Sequence, residues 1–358
     1  MAPKLLWDFG TAYDLFTGLF VLNNPGDFGL RPSWAAGVRS RIPPEARGLF
    51  ASFVAHVGAP LRWIYDLEFA GEPKDAEPVL ERLEALSDVE VLPTLTAPDL
   101  ADSQQQILYE ILHSGRWSEE DMAQIKRLSR ELKEQGYVGS EKDLDTWLGW
   151  WANAAEFGRL FKAGLRDYYE GFFREEERRI RAPLIRGYNR ARHLAEKMSV
   201  VDLLEEVTGG LRLFDVTDQE GLILVPSFWI SPLILYAKLH DQDSAIICFG
   251  ARPADAALVP GEAVPDSISR ALSAINDHTR LRILRLLAQR PQTQAELSKE
   301  LRLRAPTITH HLKSLRMAGL VRANYEHKMD RRYEVRTSAL RELWERVESF
   351  IGVEPFSD

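Results

Sequence analysis

The sequence predicts a mainly α (α+β) chain of two domains. A large helical N-terminal domain carries a small antiparallel β meander, and a compact C-terminal domain consists of short helices closed by a hairpin. Three observations lead there. The 358 residues exceed the roughly 150 expected of one domain, and apolar positions recur at helical spacing over most of the first 200 residues, giving way to β-rich runs. The charge is also unevenly placed: the formal net is −8, yet residues 266–346 hold 17 Lys/Arg against 9 Asp/Glu, a net of +8 that leaves −16 elsewhere. A basic island on an acidic protein is the electrostatic footprint of a nucleic-acid-binding domain, although an arginine-rich solvated helix face produces the same total.

Composition narrows the class. Hydrophobic residues at 45% and charged residues at 27% are values of an ordinary globular protein, not of a disordered, collagen-like or fibrous chain. The single cysteine, Cys248, excludes an intramolecular disulfide and any one-chain zinc site built on several thiolates. Its place in a β-rich run reads as a small buried hydrophobe. Asp8 interrupts the N-terminal apolar residues too early for a secretory segment, and no later run approaches the ~18 apolar residues of a membrane span. A cytoplasmic protein is expected.

Along the chain, helix-spaced apolar positions mark helices near 13–22, 34–39, 46–56, 77–87, 103–113 and 119–135. Residues 143–198 hold two or three more, with Trp147, Trp151, Phe157, Phe161, Tyr168 and Phe173 in one aromatic stretch that reads either as core or as the wall of a ligand cavity. After Gly209 and Gly210 come three short runs, Leu222–Pro226, Leu233–Ala237 and Ala245–Phe249, expected to form the meander, with Pro226 and Pro232 at strand ends or an edge. Pro and Gly then cluster over residues 251–265, which reads as a linker between an N-terminal domain of residues 1–250 and a C-terminal domain of residues 266–351.

The C-terminal domain carries a mechanism. Asp277 stands where an N-cap carboxylate serves a helix over 279–289, whose Leu281, Leu284, Leu287 and Ala288 are expected to pack while its arginines face out. Thr293 and Glu296 have capping-box spacing for the next helix, which ends near Leu301. A turn leads to a helix opening at Pro306, whose missing N–H suits the first turn, and closing at Gly319, which supplies a left-handed residue. At about 100° per residue, Ile308, Leu312 and Leu315 share one face, while Pro306, His310, Lys313, Ser314 and Met317 point the other way, flanked by Thr307 and Thr309. Residues 320–336 then read as a hairpin with Lys328, Arg331 and Arg332 at its tip. Helix, turn, helix and basic hairpin is the order of a winged helix-turn-helix, in which one helix offers donors to base edges in the major groove and the hairpin reaches the neighbouring backbone.

Residues Asp277-His278-Thr279-Arg280-Leu281-Arg282-Ile283-Leu284, Thr307 to Leu315 and Ala318-Gly319-Leu320-Val321 resemble the ArsR family of bacterial winged-helix regulators. The similarity spans about residues 268–351. It implies a homodimer on an inverted-repeat operator, usually repressing, with recognition-helix positions matching Thr307, Thr309, His310 and Lys313. His278 stands where the family commonly has proline. The family's metal-sensing patterns are missing: residues 294–299 lack the thiolates of the helix-borne site, and residues 338–351 hold no histidine. The family's chain is typically short, whereas some 265 residues precede the domain here; Ile223-Leu224-Val225-Pro226-Ser227-Phe228 and Phe249-Gly250-Ala251-Arg252-Pro253 resemble segments that end such an extension in longer ArsR-like regulators.

The candidate DNA contacts are therefore Thr307, Thr309, His310, Lys313, Arg316, Lys328, Arg331 and Arg332; His311, nearer the buried stripe, reads as a packing residue. Leu340, Leu343, Trp344, Val347 and Phe350 form an apolar stripe expected to be a dimer face, or else to dock on the chain's own N-terminal domain. No nucleophile elbow, P-loop, dinucleotide fingerprint or metalloprotease pair is present, so no catalytic residue, metal or cofactor is expected. The expected partners are double-stranded DNA, a second copy of the chain, and a small-molecule effector at the N-terminal domain. The rival reading is a small-molecule-binding protein or enzyme whose winged helix is only an interaction module.

Overall fold

Two hydrophobic cores organise the chain in the computed structural model, which describes residues 3–28, 30–134, 144–213, 219–239, 243–261, 264–326 and 330–352. The first core gathers residues from Ala12 to Leu258, the second from Ala274 to Tyr333 together with Leu211. The N-terminal part opens with β1 (Lys4–Trp7) and continues through α1 (Ala12–Asn23), α2 (Pro32–Arg39), α3 (Pro44–Val57), α4 (Leu61–Asp66), α5 (Ala76–Glu84) and α6 (Asp88–Thr96). Then follow α7 (Asp102–Ser114), α8 (Glu119–Glu134), α9 (Leu144–Ala152), α10 (Ala154–Tyr168), α11 (Arg174–Ala195) and α12 (Val200–Val207). Four strands close it: β2 (Leu211–Leu213), β3 (Gly221–Ser227), β4 (Ile234–Leu239) and β5 (Ser244–Gly250).

The mainly α class holds, but the antiparallel meander does not. The sheet is mixed, in the order β1-β3-β5-β4, with β1 and β5 both parallel to β3 and only β4 antiparallel to its neighbour. The reason is burial. Every residue of β3 is buried, and β5 is buried except at its last residue; continuous apolar runs such as Leu222-Ile223-Leu224-Val225 are the pattern of parallel strands covered on both faces. A parallel pair needs a crossover, and α1–α12 supply it between β1 and β3. Pro226 obeys the edge rule locally, because β1 ends opposite Leu224.

The aromatic stretch is core. Trp151, Phe157, Phe161, Tyr168 and Phe173 are fully buried, and Phe161 packs 4.9 Å from Phe53 and 5.3 Å from Phe50 between ring centres. Gly158 lets α6 approach α10: a Cβ there would lie 1.9 Å from the Asp88 carbonyl oxygen. Within residues 251–261, read as part of a linker, Ala251 and Leu258 are buried in the first core.

The C-terminal part comprises α13 (Asp266–Ile275), α14 (His278–Leu287), β6 (Gln292–Thr293), α15 (Gln294–Leu301), α16 (Ala305–Met317), β7 (Val321–Glu326), β8 (Asp330–Val335) and α17 (Thr337–Ile351). On α14 the buried residues are Ile283, Leu284 and Leu287. Leu281 is exposed, as is Ala288, because the stripe that meets the core runs through Ile283, one 100° step from Leu284. The second sheet has the order β2-β7-β8-β6, and β2 pairs with β7 in parallel, Leu211 opposite Ala323. A strand that precedes β3 in the chain thus lies on the hairpin's outer edge.

Candidate nucleic-acid interface

Local chemistry sets each helix of this region. Asp277 Oδ1 accepts the Arg280 N–H at 2.8 Å, and that bond holds the Asp277 carboxyl below the usual range. Thr293 and Glu296 form the expected capping box, with bonds of 3.2 and 2.7 Å. Arg302, at φ +55°, turns the chain between α15 and α16. Gly319, at φ +71°, ends α16, and the Leu320 N–H reaches back to the Leu315 carbonyl at 3.0 Å, the Schellman arrangement.

On α16, Ile308, Leu312 and Leu315 are buried, while Pro306, Thr307, Thr309, His310 and Lys313 are exposed. Met317 and Ser314 depart from the expected outward face: Met317 is buried and Ser314 half-buried, because α13 and β7 both pack against α16. Thr309 Oγ1 donates to the Ala305 carbonyl at 3.0 Å and accepts from Gln294 Nε2 at 2.5 Å. Gln294, unremarked in the sequence, thereby ties the start of α15 to the exposed face of α16. The only signal was its position one residue after the N-cap. His311 differs from its neighbour, as expected: it is largely buried with Nδ1 3.7 Å from Asp277, and burial pulls its pKa down.

The hairpin corrects one placement. Arg331 and Arg332 lie within β8, opposite Tyr325 and Asn324, and not in a tip loop. Successive strand residues face opposite sides, so the two exposed guanidinium groups address different surfaces, Arg332 standing 3.9 Å from Glu296. Lys328 lies outside the described residues, and Arg316 is half-buried.

Residues 277–323 match the family described as bacterial regulatory protein, arsR family. The C-terminal domain is an ArsR-type winged helix-turn-helix. Among solved structures, the chain is similar over 24% of its length to an ArsR-like transcriptional regulator from Rhodococcus sp. RHA1 (26% identity, 80% of that chain, TM-score 0.22). It is also similar over 26% of its length to the homodimeric winged helix-turn-helix DNA-binding domain of Mb0332 from Mycobacterium bovis (24% identity, 83% of that chain, TM-score 0.21). No curated protein matches the chain.

The ArsR-type domain makes this a DNA-binding protein of the transcriptional-regulator kind, and the N-terminal part reaches the exposed face of α16. Lys313 Nζ lies 2.5 Å from Asp27 Oδ1, in the 3₁₀ turn Pro25–Phe28 that follows α1. One residue on, the Phe28 carbonyl accepts from Arg270 Nη1 at 3.4 Å. Below the hairpin, Arg322 on β7 pairs with Glu205 of α12 at 2.5 Å and with Glu334 at 2.7 Å. Neither Asp27 nor Glu205 belongs to any motif, and nothing local in the sequence marks them.

On α17 the expected dimer stripe divides. Leu343 is fully buried and Leu340 packs against the second core, so these two face inward: a helix lying on a small domain must spend one side on its own core. Val347 is half-buried, and Trp344, Phe350 and Ile351 stay exposed, at 52%, 48% and 66%.

Proposed function

We propose that the protein is a cytoplasmic, homodimeric transcriptional repressor that reads an inverted-repeat operator with α16, grips the adjacent backbone with the β7–β8 hairpin, and uses its N-terminal domain to sense a signal and govern access to that face. The observation that carries this reading is the exposed polar face of α16. Thr307, Thr309, His310 and Lys313 stand outward on a helix whose other side is buried, and an α-helix fits the roughly 12 Å major groove. Repression and operator symmetry rest on the resemblance to the ArsR family. Dimerisation is supported by Trp344, Phe350 and Ile351 on α17 and by Leu272 on α13, all exposed; Leu272 also lines an open groove of about 550 Å³ with Ser273, Ile275 and Asn276.

Control by the N-terminal domain is supported by the Asp27–Lys313 pair. A carboxylate on a recognition-helix lysine occupies the donor that a phosphate or base edge requires, so DNA and Asp27 compete for it. The test is selection of bound sequences from random duplexes with the full chain. An enriched palindrome is expected, bound with an affinity that falls steeply as salt rises, since phosphate neutralisation releases counterions. Equal affinity for every duplex would reject the proposal.

A further inference from the structure

Three arginines converge where the two cores meet. Arg252 follows β5, Arg179 lies on α11, and Arg270 lies on α13, the first helix of the winged domain. Arg252 and Arg179 flank the Phe228 ring, at 5.6 and 4.8 Å from its centre. Arg179 is satisfied: it binds Glu176 and the Ala257 and Leu258 carbonyls at 3.1 and 2.9 Å. The other two are not. The Arg252 side chain is only 3% exposed, and its Nη1 has no hydrogen-bond acceptor, the Asp266 carboxylate standing 3.7 Å away. The Asp266 Oδ2, the oxygen nearest Arg252, accepts the Leu258 N–H. Arg270 Nε is likewise buried without an acceptor.

Two desolvated guanidinium groups therefore share one distant carboxylate, and each retains an unmet donor. Burial, followed by the charge of Arg270, pulls the Arg252 pKa down to about 9. It still carries its charge at neutral pH, and leaving a buried charge uncompensated is costly. A planar guanidinium fork matches the oxygens of a carboxylate or phosphate.

We infer that Arg252 and Arg270 form a binding site for a small oxyanion, the carboxylate or phosphate group of an effector, which bridges the N-terminal domain to α13. Bound there, it supplies the missing acceptors and the missing negative charge. Because Arg270 also holds the Phe28 carbonyl beside Asp27, the bridge favours the arrangement in which Asp27 keeps Lys313. A ligand that prefers this arrangement lowers DNA affinity by linkage. The coupling rests on the regulatory reading above; the site itself does not.

Two arms separate them. In the first, without DNA, radiolabelled phosphate and acetate are dialysed against the full chain at constant ionic strength set by chloride, with thermal unfolding in parallel. One saturable site per chain and a Tm rise of roughly 2–5 °C are expected, lost in Arg252→Gln and Arg270→Gln and kept in Arg159→Gln, an exposed residue of α10. Response to phosphate alone identifies a phosphate-bearing effector, and response to acetate alone a carboxylate. No saturable binding of either, or binding unchanged in both variants, overturns the site. Should Arg252→Gln not fold, Arg270→Gln and dialysis of the unmodified chain decide alone. In the second arm, saturating oxyanion should weaken binding to a selected duplex roughly 5- to 20-fold in the wild type and leave Arg270→Gln unmoved. Unchanged or tighter binding overturns the coupling. Failure of the ligand-free chain to bind any duplex would reject the DNA reading while the dialysis still judges the site.

Discussion

Thr309 and His310 stand side by side on α16 but do different work. Thr309 is held by two bonds and presents a fixed group, whereas the His310 ring is exposed. Alanine at either position should change which duplex is preferred, with a loss of about 1–3 kcal/mol at the base concerned. Arg332→Ala should instead weaken all duplexes alike and reduce the salt slope by about 1. Anisotropy titrations on a panel of single-base variants distinguish the two outcomes, and a sequence-neutral loss in His310→Ala would displace it from the reading face. In the N-terminal core, burial raises the Asp14 pKa to about 6, although Ser227 Oγ donates to it at 2.6 Å and the Trp229 N–H at 3.0 Å. A carboxyl whose folded pKa lies above its unfolded value binds its proton more tightly when folded. Its contribution to stability therefore declines as pH rises from about 4 to about 6 and is flat beyond. Urea unfolding at pH 4 and pH 7 should show this decline, on the order of 2–3 kcal/mol, in the wild type and not in Asp14→Asn.

Among the elements, α17 and β2 are the most instructive. Leu343→Ala should cost about 2–5 kcal/mol, as a buried leucine does. Trp344→Glu should leave the protomer folded and abolish the proposed dimer; sedimentation and thermal unfolding together separate the two. The apolar stripe on α17 was legible in the sequence, but its division into core and surface was not, because helical spacing reports a face and says nothing of what covers it. The caps of the C-terminal domain were legible: Asp277, the Thr293–Glu296 box and Gly319 all sit where expected, since a cap depends only on residues within one turn, whereas Ser87 of the Ser87–Glu90 box that opens α6 fell within the helix expected over 77–87. By contrast β2 is three residues long and pairs with a strand more than a hundred positions away, which no local pattern encodes. Its attachment depends on Gly210, at φ +112°, whose carbonyl accepts the Ala323 N–H at 2.9 Å and where a Cβ would come within 3.2 Å of the Val321 carbonyl oxygen. Gly210→Val should release β2 from β7, seen as faster proteolysis between residues 205 and 220 with the first core intact.

For the whole molecule the decisive feature is that the acidic body touches the basic domain at several places, among them Asp27 on Lys313, Glu205 on Arg322, Phe28 on Arg270, and β2 along β7. The charge asymmetry was legible as a total, and these contacts show where it acts. Asp27→Ala should tighten DNA binding by up to about fivefold, because a half-exposed ion pair contributes at most about 1 kcal/mol, and the gain should shrink in high salt. An unaltered affinity at low salt would remove Asp27 from the control of α16.

What residue order alone determined acts within a few turns of the chain: most of the helices though not α4, α6 or α12, the caps of the C-terminal domain, the winged helix-turn-helix order and that domain's net positive charge. The tertiary structure decided which strands run parallel, which side of α17 is buried, and which acids pair with the cations of the C-terminal domain. The division has one physical cause. Caps and periodicity are set by neighbours along the chain, whereas strand direction, burial and ion pairing depend on surfaces that meet only after distant segments have packed.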